Sequence, residues 1–305
     1  MARLRIVAGV GSVVIIGVLA AAGLSSGATK SASADRSLDT LKPGVLKVAI
    51  ESYAPYTSLK RGKLVGLDSD IINAVARKLN LRIETVVTDF PGMLASVQSR
   101  RVDITLGGVA WSADRQKVGL FTDPPYYSPP AMAVRSGKTY KTVKDLEGLD
   151  LGTVSGYVWV KSIKSIPGAK LHAYPNAPAV FDDLGAGRID VGFLDPLLII
   201  AAQKQRPELR IKTEYLTPPT QAQVKEHPAY EYLRPYMTGF YVPRQEPKLE
   251  QAVTAQIRAM YKNGELAKLI TKWGGAPAQF LKPSSWMAGL RRGLDRPSGW
   301  VPPSA

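Results

Sequence analysis

The first half of the chain alternates short apolar runs with longer segments whose apolar residues recur at helical spacing. Val45–Ile50 reads as a short strand. Apolar residues in 71–79 then repeat every three or four positions, with Asp68 or Ser69 placed to cap a helix. A strand at 81–87, a helix at 93–98 and a buried strand at 102–106 follow. The predicted order is strand, helix, strand, helix, strand.

The same plan recurs in the second half of the chain. A strand is predicted at 149–154, a helix at 179–184 with Asn176 as its cap, and a strand at 189–194. Two further helices are predicted at 249–260 and 265–273, and the second ends at a pair of glycines. This alternation is typical of mainly parallel sheets flanked by helices, which bind ligands beyond the carboxyl ends of their strands. The loops 52–56, 90–92 and 107–112 therefore fall on one edge, and 305 residues suffice for two domains.

The N-terminal residues 1–34 have the pattern of an export signal. Arg3 and Arg5 precede an apolar stretch from 6 to 24 that lacks ionisable side chains, and Ala32-Ser33-Ala34 offers small residues for a signal peptidase. We expect cleavage after Ala34. An uncleaved membrane anchor is the alternative, because the apolar stretch is close to the roughly 18 residues that span a bilayer.

Composition narrows the class of protein further. With 45% hydrophobic and 21% charged residues the chain is of ordinary globular type. It contains no cysteine, so it forms no disulfide and carries no lipid-modified cysteine. Its net charge of +15 comes from scattered bases without a basic stripe interleaved with aromatics, which argues against a nucleic-acid partner. The two histidines lie in separate segments, so no metal site is expected.

Four blocks of sequence resemble one known family. They are Tyr53-Ala-Pro-Tyr56 with Gly66-Leu-Asp-Ser-Asp-Ile71, Phe90 to Asp123 with its ending Phe121-Thr-Asp-Pro-Pro-Tyr-Tyr127, Val143 to Gly156 with Gly187 to Asp195, and Asn263-Gly-Glu265 with Lys272-Trp-Gly274. In this order they are similar to the polar amino-acid group of the bacterial extracellular solute-binding proteins, family 3, over nearly all of 46–275.

The resemblance implies an α/β, two-lobed type II periplasmic-binding-protein fold. Residues 42–133 with 239–276 would form lobe 1 and 134–238 lobe 2, and the chain would cross between them near 131–135 and 238–242. The remainder, 277–305, is rich in proline, serine, glycine and arginine, and we expect a loosely ordered C-terminal tail.

The resemblance also implies a pair of opposite charges for a zwitterionic ligand. Arg115 matches the arginine that holds the ligand carboxylate, for which a planar guanidinium provides paired hydrogen bonds. Asp195 matches the aspartate of the second lobe that pairs with the ligand ammonium. The alternatives are a surface arginine and an aspartate that merely caps the helix starting at Pro196.

Other matching positions are expected to shape the pocket. Gly107 and Gly108 would offer backbone carbonyls to the ammonium, or form only a tight turn. Tyr53 and Phe90 would sandwich the ligand side chain, or simply pack in the core. Trp111 stands beside the arginine, where a pocket role and a core role are both open.

Some positions depart from the family pattern. Ala110 replaces a usual hydroxyl residue, and Tyr157 and Val158 replace residues that usually bind the carboxylate through side chains. Ile50 replaces an acidic position that helps to hold a second ammonium, so a neutral, acidic or modified amino acid is favoured over lysine or arginine.

The expected function is capture of an amino-acid-like solute in the periplasm and its delivery to an ABC transporter permease in the inner membrane. We expect a monomer with no cofactor, no metal and no catalytic residue. Two alternatives use the same scaffold: a periplasmic cyclohexadienyl or arogenate dehydratase, which needs a catalytic acid in the cleft, and a sensory ligand-binding module.

Overall fold

A computed structural model describes residues 38–305, so the predicted signal peptide lies outside the described residues. The strands, in chain order, are β1 (Val45–Ile50), β2 (Ser58–Lys60), β3 (Lys63–Val65), β4 (Arg82–Val87), β5 (Ile104–Thr105), β6 (Leu120–Phe121), β7 (Tyr127–Ser128), β8 (Ala131–Arg135), β9 (Asp150–Val154), β10 (Lys170–Tyr174), β11 (Val191–Phe193), β12 (Ile211–Tyr215), β13 (Tyr236–Met237) and β14 (Tyr241–Val242).

The α-helices, in chain order, are α1 (Leu67–Lys78), α2 (Phe90–Gln98), α3 (Ala113–Gln116), α4 (Trp159–Lys164), α5 (Ala177–Gly185), α6 (Pro196–Gln205), α7 (Gln221–Glu226), α8 (Pro247–Lys262), α9 (Glu265–Lys272), α10 (Pro277–Phe280) and α11 (Met287–Arg291). Short 3₁₀ helices lie at Val143–Leu146, Pro207–Leu209 and Pro228–Leu233. Within residues 38–305, no helix combines the length and the apolar character needed to cross a membrane.

Two five-stranded sheets form the framework. The first has the order β4-β1-β5-β14-β6 and the second β10-β9-β11-β8-β12. In each sheet the expected parallel arrangement covers three strands, whereas the remaining pairs are antiparallel. The antiparallel strands are those that lead the chain into or out of a sheet, which the simple alternation of strands and helices does not reveal.

Burial of apolar side chains explains why β1 and β11 lie in the interior of their sheets. In β1, Leu46, Val48, Ala49 and Ile50 are fully buried, and α1 turns its apolar residues toward the same core. In the second sheet β11 is fully buried, and α5 packs on β9 and β11. The Asn176 side chain accepts a hydrogen bond from the Ala179 N–H at 3.1 Å, so the predicted cap of α5 is confirmed.

A short antiparallel ribbon of β7 and β13 lies between the two sheets in the chain path. The chain leaves the first sheet after β6 and enters the second at β8, and it returns through β13 before β14. The two passages are thus at 122–130 and 235–240. The stretch 131–135, where a crossing was expected, is already a strand of the second sheet.

Two expectations about local structure are wrong. Gly66, and neither Asp68 nor Ser69, is the N-cap of α1, because the Asp68 carboxylate is used by distant backbone groups. The segment 277–305 is not loosely ordered. It contains two short helices and fully or almost fully buries Arg291, Met287 and Trp300 against the first sheet.

Candidate functional site

Asp195 stands at the carboxyl end of β11, where a buried strand gives way to α6. Its side chain does not cap that helix. Instead it accepts hydrogen bonds from the hydroxyls of Tyr53 at 2.6 Å, Ser128 at 3.1 Å and Tyr236. The residue is 4% exposed, and this burial raises the pKa of its carboxyl despite the three donors, which act in the opposite direction. The capping alternative is therefore excluded by the geometry.

Arg115 projects from the four-residue helix α3, whose N-cap Ser112 accepts a hydrogen bond from the Arg115 N–H. Its guanidinium donates to the carbonyl of Ala110 at 2.7 Å and to that of Gly156 at 3.0 Å. The guanidinium carbon lies 5.1 Å from the centre of the Phe90 ring. Burial lowers the pKa of Arg115 to about 10, so the side chain remains a cation at neutral pH.

Arg115 and Asp195 line one cleft with about 250 Å³ of empty space. The cleft is lined by Phe90, Gly107, Gly108, Ala110, Arg115, Tyr157, Val158, Trp159, Asp195 and Tyr236. Eight of the ten positions predicted from sequence are in this set. Within residues 38–305 the guanidinium bonds to carbonyls and the carboxylate to hydroxyls, and neither has a partner of opposite charge. Buried charges are normally paired, so this cleft suits a ligand that carries both signs.

A double-glycine turn forms one wall of the cleft. Gly107 and Gly108 have φ angles of +107° and +66°, which glycine adopts without strain. Both N–H groups donate to one oxygen of Asp68, at 2.8 and 2.9 Å, and the Tyr126 hydroxyl donates to the other oxygen at 2.8 Å. Burial raises the pKa of Asp68 to about 6. A buried carboxylate behind the cleft thus fixes the shape of the turn.

Aromatic rings close the side of the cleft next to β1. Phe90 meets Tyr157 edge to face with ring centres 4.7 Å apart, and the Tyr157 hydroxyl donates to Glu51 at 2.6 Å. Tyr53 lies behind this layer, stacked on Tyr56, and reaches the site only through its hydroxyl. The aromatic residues that line the space are Phe90, Tyr157, Trp159 and Tyr236, whereas the predicted Tyr53 is not among the lining residues.

Two lining residues were missed by sequence reasoning. Trp159 begins α4, donates its indole N–H to the Tyr232 carbonyl at 3.1 Å and packs edge to face on Tyr236. It directly follows the predicted Tyr157 and Val158 in a loop at the carboxyl end of β9, so its place could have been inferred. Tyr236 lies in β13, where no sequence pattern marks it.

Trp111 lies outside this cleft. It borders a separate cavity with Tyr236, Met237, Trp286 and Leu290, the last two from the C-terminal segment. Trp111 is 5% exposed, and its role in the ligand pocket stays a prediction. No cluster of histidine, aspartate or glutamate suited to a metal ion occurs within residues 38–305.

Comparison with known proteins decides the family. Residues 46–276 match the bacterial extracellular solute-binding proteins, family 3. The chain belongs to this family. It is 28% identical over 268 residues to the L-cystine-binding protein TcyJ of Escherichia coli (strain K12), which covers 86% of the chain and 95% of that protein. It is 30% identical over 170 residues to ABC transporter arginine-binding protein 1 of the same organism, covering 55% and 70%.

Solved structures of family relatives agree with the sheets described above. The substrate-binding protein of an amino acid ABC transporter superimposes with a TM-score of 0.65 at 25% identity, covering 76% of this chain and 99% of that one. An ancestral arginine-binding protein bound to glutamine gives 0.66 at 27% identity, covering 77% and 99%. The two-lobed type II periplasmic-binding-protein fold is therefore confirmed.

Proposed function

We propose that this chain captures an amino-acid-like zwitterion in the periplasm and delivers it to the permease of an ABC importer. The observation that carries the proposal is the cleft in which Arg115 and Asp195 each lack a partner of opposite charge among residues 38–305. The ligand carboxylate would bind the Arg115 guanidinium, whose paired N–H donors match both carboxylate oxygens. The ligand ammonium would donate hydrogen bonds to Asp195 and replace hydroxyl donors there.

Arg115 lies on a helix that follows a strand of the first sheet, and Asp195 follows a strand of the second sheet. This arrangement suits capture by closure of two lobes. Contacts across the cleft join the lobes: the hydroxyl of Tyr157 to Glu51, that of Tyr53 to Asp195, and Lys161 to Asp114 at 2.9 Å. A ligand enters when these contacts open about the β7–β13 ribbon, and closure then excludes water from it. The closed shape would be the form that a permease recognises.

The cleft also suggests the class of ligand. Arg115 and Asp195 offer one cation and one carboxylate to the same small space, which suits a single amino acid. Asp195 is the one carboxylate among the lining residues, and Ile50 offers no second acidic group. A neutral side chain is therefore favoured over a cationic one, although relatives of this chain are named for arginine.

Binding without chemistry is part of the proposal. The relatives reported above are named as binding proteins. A precursor of cyclohexadienyl dehydratase shares the fold at 22% identity and a TM-score of 0.63, which is a likeness of fold alone. Export with cleavage after Ala34, a soluble monomer and the absence of nucleic-acid binding complete the proposal.

Calorimetry on variants of Arg115 and Asp195, together called the ligand clamp, tests the proposed function. The proteinogenic L-amino acids and L-cystine are first screened as single probes by thermal shift, since a bound ligand raises the melting temperature. With the best probe, Arg115→Ala should weaken binding at least about thirty-fold, because truncating one member of a buried charge pair costs about 2–5 kcal/mol. Asp195→Asn should act similarly.

The matched control is Arg244→Ala. Arg244 is an exposed arginine that donates to the Lys117 carbonyl next to α3, so its loss should leave affinity unchanged. Parental affinity in folded Arg115→Ala would refute the clamp. Turnover of prephenate or arogenate by the purified protein would refute a pure binding role.

A further inference from the structure

The C-terminal residues beyond the family match form an ordered strap, defined here as 281–305. The match to the family ends at residue 276. The strap is fastened along its length: the Trp300 indole donates to Asp123 at 3.0 Å, the Tyr127 hydroxyl donates to the Pro303 carbonyl at 2.6 Å, and the Ala305 N–H donates to the Leu281 carbonyl. It therefore lies against the first sheet and the β7–β13 ribbon.

One part of the strap touches the side of the cleft that carries Arg115. Arg291 is fully buried, pairs with Asp295 and donates to the carbonyls of Phe121 and Thr122 at 3.1 and 3.0 Å. Its guanidinium carbon is 5.8 Å from the centre of the Trp111 ring. Because Trp111 directly precedes the cap of α3, the strap supports the turn from which Arg115 projects.

A second part of the strap touches the side that carries Asp195. The Trp286 ring lies under the guanidinium of Arg234, with 3.8 Å between the guanidinium carbon and the ring centre. Arg234 is two residues before Tyr236, whose hydroxyl donates to Asp195. Trp286 and Trp111 also border the same small cavity as Tyr236. The strap therefore contacts the segments behind both charges of the clamp.

We infer that the strap is a positioning element for the ligand clamp, in which Trp286 acts through Arg234 and Tyr236 on the placement of Asp195. This inference rests on the proposed function. Residues that support a binding group from behind set how closely the bound geometry is held, and a loosened support weakens binding without touching the ligand. Trp286 meets this description because its contacts reach the cleft only through other residues.

Exchange of Trp286 tests the inference, with Trp273 as the matched control. Trp273 is likewise a half-buried tryptophan with a cation over its ring, and it also donates an indole hydrogen bond to Asp70; its partners Lys272 and Asp70 lie away from the cleft. Trp286→Ala and Trp273→Ala are compared for melting temperature without ligand and for affinity and dissociation rate. The probe is the amino acid that most stabilises the parent in the thermal-shift screen.

We expect Trp286→Ala to raise the dissociation constant about three- to ten-fold, which lies within the roughly two- to thirty-fold that the whole energy of a cation–π contact would give, chiefly through faster dissociation. Trp286→Phe, which keeps a ring under the guanidinium, should recover most of the affinity. Trp273→Ala should bind as the parent does, whatever its melting temperature. If Trp286→Ala fails to fold, Arg234→Lys keeps the charge, loses the flat stack and should show the same loss of affinity.

Parental affinity and dissociation rate in Trp286→Ala, or equal weakening in Trp273→Ala, would overturn the inference. These results differ from failure of the proposed function, in which the parent itself binds none of the probes.

Discussion

Glu51 offers the sharpest test of the electrostatics around the cleft. It lies in the loop after β1, is 6% exposed and accepts the Tyr157 hydroxyl at 2.6 Å. Burial raises the pKa of its carboxyl to about 7 from the ordinary 4.5, with further increases from the charges of Asp195 and Asp89. The folded protein therefore holds a proton on Glu51 at pH values where the unfolded chain has released it.

The sign and size of the effect follow from this difference. Since the folded pKa is raised, the free energy of unfolding falls as the pH rises through the window from 4.5 to about 7, and it stays low above that window. At about 1.4 kcal/mol per pKa unit, ionised Glu51 costs the folded state about 3 kcal/mol at pH 8. At pH 5 the cost is only about 1 kcal/mol.

Glu51→Gln removes the charge and keeps a carbonyl oxygen for Tyr157. Urea unfolding at pH 5 and pH 8 should therefore show a larger gain in stability at pH 8, by about 2 kcal/mol. Glu84→Gln is the control, because Glu84 has a side chain that is 41% exposed and a pKa that is lowered by Arg82. A gain in Glu51→Gln that is the same at both pH values, or a loss at pH 8, would refute this account of the cleft.

Three further predictions concern the support of the site. Asp68→Ala leaves the N–H groups of Gly107 and Gly108 without their acceptor and should cost about 1–3 kcal/mol in urea unfolding at pH 5, below the carboxyl's pKa of about 6, and calorimetry should show weaker binding; an unchanged midpoint would contradict it. Arg291→Met leaves the Asp295 charge buried without its partner and should cost about 3–5 kcal/mol of unfolding free energy, so wild-type stability would contradict the assigned pair. Gly66→Ala places a Cβ 2.1 Å from the Tyr56 carbonyl oxygen at a φ of +137°, and a loss of about 3 kcal/mol or more is expected, seen as a lowered melting temperature; normal melting would show that the turn can relax.

Where local chemistry decides a structure, the sequence was a good guide. The strand Val45–Ile50 and the cap at Asn176 depend on neighbouring residues alone, and both agree with the structure. Asp68 shows the opposite case. It lies next to a helix start and resembles a cap, but its carboxylate accepts hydrogen bonds from N–H groups about 40 residues away instead.

The strap shows why composition can mislead. Its proline, glycine and arginine content gives no helical or strand period, yet it folds because Arg291 and Trp300 find partners about 170 residues earlier in the chain. Such contacts leave no local pattern. That Arg115 and Asp195 line one cleft was predictable only because resemblance supplied the long-range pairing that periodicity cannot.

The hydroxyls around Asp195 have a consequence for turnover of the carrier. Three O–H dipoles already solvate this carboxylate, so an arriving amine exchanges one set of hydrogen bonds for another instead of gaining them outright. The binding free energy is then the modest difference between two favourable sets of hydrogen bonds to Asp195, one from the hydroxyls and one from the ligand amine. A protein that must release its ligand at a membrane benefits from these hydroxyls, because they can hydrogen-bond to the aspartate again as soon as the ligand leaves.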